Sequence, residues 1–139
     1  MHKMSFFVAA IALTGCSSGT QTTVEQEKEQ EAVTSKYQAG ATIYEDNCVA
    51  CHQAWGEGVK GAFPPLAGSD YLLADKNRAI HQIIHGSSGE MTVNGEKYDA
   101  IMPAQPISDE EVRDVMNYIL NAWGNNGGEV TLEDVKAQR

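Results

Sequence analysis

An all-α domain is what this sequence predicts, and three observations carry that prediction. Three segments repeat apolar residues at three- and four-residue steps. The stretches between them are glycine- and proline-rich loops, and no strand–helix–strand pattern is visible. The pentapeptide Cys48-Val49-Ala50-Cys51-His52 closes the first helical segment. Residues three and four apart share a helix face, so its three chemistry-bearing side chains can reach one flat ligand.

The elements follow in chain order. Residues 1–15 have Lys3 near the start and an apolar run from Phe6 to Leu13, too short to span a bilayer. They read as a secretory leader. Leu13-Thr14-Gly15-Cys16 resembles the lipobox of bacterial lipoproteins, which implies cleavage before Cys16 and its acylation. Several acyl chains anchor far more firmly than one. Ser17 stands where the resembling rule for inner-membrane retention calls for Asp, so outer-membrane anchoring facing the periplasm is favoured over inner.

Residues 16–34 offer almost nothing to bury and read as a lipidated flexible tether, with the Glu/Gln part able to extend the next helix. One domain is expected over 35–139. Its first helix spans about 35–50, with Tyr37, Gly40, Ala41, Tyr44 and Cys48 on one face. Gly40 there costs about 1 kcal/mol of propensity, so close approach of another backbone is expected. A second helix spans 76–85, with Asp75 as N-cap, an Ile80-Ile83-Ile84 stripe and Gly86 as the stop. The third opens on a capping box, Ser108 to Glu111, and carries Val112, Val115, Met116, Ile119, Leu120 and Trp123 to Gly124. Residues 131–136 suit one short terminal turn. So much loop leaves a small core, which a large flat aromatic cofactor at the centre would remedy.

C-x-x-C-H reads as the attachment site of a c-type haem. Cys48 and Cys51 would form the two thioethers and His52 would be the proximal iron ligand. A thioredoxin-like pair would need a βαβ setting. A zinc site would need further ligands, such as His81 or His85, and a second Cys pair is missing. A plain disulfide leaves His52 unexplained. Charge bounds the partners. Without residues 1–15 the chain has nine Lys and Arg against nineteen Asp and Glu. That acidic balance argues against nucleic acid.

Around the pentapeptide the chain resembles a class I monohaem cytochrome c, over roughly residues 36–125. Gly40 and Tyr44 precede the motif and Phe63-Pro64-Pro65-Leu66 follows it. Then come Asn94-Gly95, Tyr98, Met102-Pro103-Ala104, the capped last helix with Tyr118, and Trp123-Gly124-Asn125. The pattern is similar to small bacterial cytochromes and to cytochrome c domains of periplasmic reductases. The resemblance implies the cytochrome c fold: three main helices and Gly/Pro-rich loops around one covalent haem c. It implies His52 and Met102 as axial ligands, Gly40 and Tyr44 meeting Tyr118, and a proline carbonyl, expected from Pro65, on the other His52 nitrogen.

Met91 and His85 compete with Met102 for the distal position; Pro103, stiffening the loop, favours Met102. Met116 suits core packing. Trp55 and Phe63 are candidates to wall the haem, and Lys60, Lys76 and Lys97 to stand near its rim. His81 and His85, four apart, could bind a metal or stand as a plain solvent-edge pair.

The function implied is one-electron transfer between periplasmic or membrane redox proteins, by a monomer held to the membrane through Cys16. The alternatives are a haem subunit of a dehydrogenase or reductase complex, and a small-ligand-binding or peroxidatic haem protein.

Overall fold

Gly40 and Tyr44 set the main contact of the molecule, the crossing of α2 (Gln38–Asn47) with α6 (Asp109–Ile119). The structure, a computed structural model, describes residues 19–139. A Cβ built on Gly40 would lie 2.1 Å from the Asp114 carbonyl oxygen and 2.8 Å from Tyr118 Cβ. The two backbones therefore touch, which is why the first helix tolerates a glycine on its apolar face. One turn on, buried Tyr44 packs its ring 5.6 Å from Tyr118 and 5.0 Å from Trp123, both tilted. Such arrangements are favoured by the aromatic quadrupole.

The single helix expected over 35–50 is three pieces. Tyr37 (φ −113°, ψ 43°) separates α1 (Gly19–Lys36) from α2, and Cys48 separates α2 from α3 (Val49–His52). Backbone hydrogen bonds from Tyr37 to Val33 and from Cys48 to Tyr44 bridge both breaks.

The tether expected over 16–34 is corrected from residue 19 onward, because α1 is helical and its second half is docked. Glu, Gln and Lys supply nine of its 18 residues, and all three are strong helix formers. Val33 packs against the core. Gln30 donates to the Tyr118 hydroxyl (3.0 Å) and accepts from the Trp123 N–H (2.8 Å). That second bond satisfies a backbone donor at a residue with φ 56°. The leader and Cys16 lie outside the described residues.

The remaining elements follow their local signals. Ser69 caps the short α4 (Asp70–Ala74) and Asp75 caps α5 (Lys76–His85), whose Ile80, Ile83 and Ile84 are buried. In α6 the buried face is Val112, Val115, Met116, Tyr118 and Ile119; the helix ends at Ile119, and a turn carries the chain on to Gly124. Thr131 and Asp134 form a second capping box at α7 (Leu132–Lys136), and Val135 seats it on α5 and α6.

The loop expected between Gly86 and Pro106 holds a small hairpin, β1 (Met91–Val93) paired antiparallel with β2 (Glu96–Tyr98). Asn94 (φ 52°) and Gly95 (φ 79°) form its turn, the pairing that two-residue hairpins prefer.

The α6 cap yields a first prediction. Ser108 exchanges hydrogen bonds with Glu111, and its backbone N–H and hydroxyl hold the Glu111 carboxyl below the usual range. A lowered carboxyl stabilises the fold above its unfolded value, and that contribution fades as pH falls through the folded value. Ser108→Ala is expected to cost about 1 kcal/mol at neutral pH. Urea titrations across the acid range should also show a shallower loss of stability in the variant.

Candidate functional site

Cys48, Cys51, His52, Met91 and Met102 line one cleft between the loops. Phe63, Pro64, Pro65 and Leu66 form one wall, Tyr71, Leu72 and Ile83 another. Val93, Tyr98 and Ile101 come from the hairpin side, and Val115 and Ile119 of α6 close the floor. Its walls are predominantly apolar, with the sulfur and imidazole groups converging inside it.

His52 ends α3 and is set from three directions. Its Nδ1 lies 2.9 Å from the carbonyl oxygen of Pro64. A carbonyl only accepts, so Nδ1 carries the proton and Nε2 keeps the lone pair. Burial pushes the His52 imidazole down, and the Pro64 bond partly offsets this. The ring is therefore neutral at neutral pH, the form that ligates metal. Pro65 was the carbonyl expected here, and the structure assigns the contact to Pro64. Successive carbonyls of an extended chain point to opposite sides, so only one of two neighbouring prolines can face the ring. The Val59–Phe63 pairing fixes which one.

Two residues support His52 without entering the cleft. The Tyr44 hydroxyl donates to the Gln53 carbonyl at 2.7 Å, holding the residue after His52 at φ 64°. Asn125, buried in the turn beyond α6, donates to the Leu66 (3.0 Å) and Ile119 (2.8 Å) carbonyls and accepts from Gly68 N–H (2.8 Å). It ties the proline wall to α6. Asn125→Ala would strip partners from three backbone groups and is expected to cost about 2–3 kcal/mol in chemical denaturation.

Cys48 and Cys51 are not bonded to each other, and burial pushes the Cys48 thiol up to about 11. A raised thiol is the opposite of what makes a cysteine reactive in exchange. Among the described residues no three His, Cys, Asp or Glu side chains gather to hold a metal.

Opposite His52, the Met102 segment is pinned by paired backbone hydrogen bonds with Ser87, both 2.9 Å. Gly86 stands against it; a Cβ there would lie 2.6 Å from the Met102 carbonyl oxygen. Met102 is packed against the core, and Met91 reaches the same cleft from β1. His85 is not among the residues lining the cleft and holds the Gln138 carbonyl instead, at 2.7 Å. Met116 is fully buried in α6.

Phe63 walls the cleft as expected, whereas Trp55 is 54% exposed and absent from its lining. Lys60 and Lys97 pair with Glu96 and Glu90, and Lys76 donates to the Glu129 carbonyl. These lysines therefore form no unopposed basic patch. Ile101, 75% exposed, stands at the cleft mouth.

Two thiols, one imidazole nitrogen with a fixed lone pair, and a thioether in one apolar cleft fit an iron porphyrin held by covalent and axial bonds. Fold and site together define a c-type haem protein. The comparisons agree: the family description Cytochrome c matches residues 37–123. The chain is 41% identical over 91 residues to cytochrome c-552 of Thermus thermophilus, covering 62% of this chain and 69% of that one. It is 34% identical over 104 residues to the cytochrome c subunit of alcohol dehydrogenase (quinone) from Gluconobacter oxydans (strain 621H), covering 73% of this chain and 22% of that one. It is also 31% identical to the fructose dehydrogenase cytochrome subunit of Gluconobacter japonicus, covering 72% of this chain and 22% of that one. The dehydrogenase subunits are thus spanned over about a fifth of their length.

The chain belongs to the cytochrome c family. It is an electron carrier with covalently bound haem c.

Proposed function

We propose that this chain passes single electrons between redox proteins on the periplasmic side of a bacterial membrane. Cys48 and Cys51 would hold the haem by thioethers, and His52 Nε2 and Met102 Sδ would ligate its iron. The observation that carries this reading is the convergence of those four side chains on one apolar cleft. The bound haem supplies a one-electron ferric–ferrous couple. Pro64, by accepting the Nδ1 proton, fixes the His52 ring and its basicity. The Met102 thioether is a soft ligand that favours the reduced metal and raises the potential. The apolar walls would exclude water, and with His52 and Met102 both bound to the iron no open position would remain for substrate.

The anchor belongs to this proposal: acylation at Cys16, outer membrane favoured over inner, with a monomeric domain at the surface. Its support is the leader and lipobox pattern. In place of a loose tether, α1 leads from that region into the domain, about 27 Å long at 1.5 Å per residue. A second reading, the haem subunit of a dehydrogenase complex, rests on the names of the Gluconobacter relatives.

Haem staining of a denaturing gel should label the matured protein, and a redox titration should follow one reversible one-electron step. Carbon monoxide should not bind the ferrous protein without denaturant. A colourless polypeptide, or ready carbon monoxide binding, would overturn the carrier assignment. Co-purification with a larger dehydrogenase would select the second reading.

A further inference from the structure

We propose that His81 and His85 form a second metal site, on the outer face of α5, for a divalent transition-metal ion with tetragonal preference such as copper(II). The two residues stand four apart on one exposed helix face. The opposite face of α5 buries Ile80, Ile83 and Ile84, which fixes the helix rotation and keeps both imidazoles in solvent. The pair is therefore preorganised by the core rather than assembled from mobile segments.

The spacing selects the geometry. The ring centroids are 4.4 Å apart. An imidazole ligated at about 2.0–2.1 Å keeps its centroid roughly 3.2 Å from the ion. Were both rings to ligate one ion at the observed separation, they would subtend about 90° there, the cis angle of a tetragonal site and narrower than a tetrahedral one.

A second observation points the same way. His85 Nε2 lies 2.7 Å from the Gln138 backbone carbonyl, so Nε2 carries the proton and Nδ1 keeps the lone pair. A histidine whose other ring N–H is held by a carbonyl is the usual arrangement of a metal ligand. Here α7 and the residues after it supply that carbonyl, so the ligand's tautomer is set by tertiary structure.

The formal charge of −9 favours cations at any such pair. With no third His, Cys, Asp or Glu gathered among the described residues, water completes the coordination and the ion stays exchangeable. The site is separate from the haem cleft: Gln82 and Ile83 of α5 line that cleft, whereas His81 and His85 do not.

The test is titration of the haem-loaded protein with copper(II) chloride near pH 7.5, by calorimetry and by electron paramagnetic resonance. Wild type, His81→Ala and His81→Gln are compared. Either variant leaves the buried face of α5 intact, and His85 is present in all three. The wild type is expected to take up one ion that both variants bind about tenfold or more weakly. The copper signal should show coupling to two imidazole nitrogens, reduced to one in the variants. Identical isotherms in wild type and variants, or a two-nitrogen signal surviving in both, would overturn the site. Neither result bears on the haem assignment, because the ferric–ferrous titration is read separately.

Discussion

Met102→Ala is expected to lower the reduction potential by a few hundred millivolts, within the ~0.8 V range that axial ligands command. The far-red sulfur-to-iron absorption band should vanish, and the ferrous protein should bind carbon monoxide. The cause is ligand softness: without the thioether, the ferrous state loses the ligand that favours it. Met91 is the control, because it reaches the same cleft. Its strand is short and closes on an exposed turn, whereas Met102 is held by two hydrogen bonds to Ser87 and is followed by Pro103, which stiffens the loop. Less entropy is lost when an already fixed side chain takes up a metal. Met91→Ala should therefore leave potential and absorption nearly unchanged. The reverse pattern, with Met91→Ala abolishing the band and Met102→Ala keeping it, would exchange the two assignments. A third pattern, with the band absent from the wild type and from both variants, would remove methionine ligation altogether.

The cleft was legible because its chemistry is written in local spacing. Cys48, Cys51 and His52 share a helical turn, and the capping residues Asp75 and Ser108 mark helix starts through bonds made within three residues. What was not legible depends on partners distant in sequence. The choice between Pro64 and Pro65 turns on which carbonyl faces a ring twelve residues away. The docking of α1 is decided by Gln30, whose amide meets Tyr118 and Trp123 some ninety residues on. Composition read 16–34 as a tether whose Glu/Gln part could extend the next helix; helix propensity and two long-range hydrogen bonds favour the helix from residue 19 onward. The hairpin is a different case. Asn94-Gly95, flanked by Met-Thr-Val and Glu-Lys-Tyr, carried a turn signal within the sequence, and reading the whole stretch as loop passed over it. Asn125 was named only as the end of Trp123-Gly124-Asn125, without a role. Nothing in its neighbours distinguishes it from a loop asparagine, yet its amide closes three bonds across the proline wall.

Gly40→Val is expected to be the most destabilising single substitution in the first crossing. The valine Cβ would sit 2.1 Å from the Asp114 carbonyl oxygen, and a backbone atom cannot rotate out of the way as a side-chain tip can. Either α2 or α6 must shift, at a cost of about 3 kcal/mol by the usual price of overpacking. For a domain of this size that corresponds to a melting temperature lower by roughly 12–24 °C. Gly40→Ala places the same first atom in the same gap but gains about 1 kcal/mol of helix propensity, so it should fall between valine and wild type. The effect should reach the haem site, because α2 runs directly into Cys48 and its Tyr44 holds the Gln53 carbonyl beyond His52. A displaced α2 strains that bond, so a shift in the reduction potential should accompany the loss of stability. Thermal melts followed by circular dichroism and paired redox titrations would check both. A Gly40→Val protein that melts within a few degrees of wild type would show that the helices do not approach as closely as described, and that Tyr44 and Trp123 alone hold the crossing.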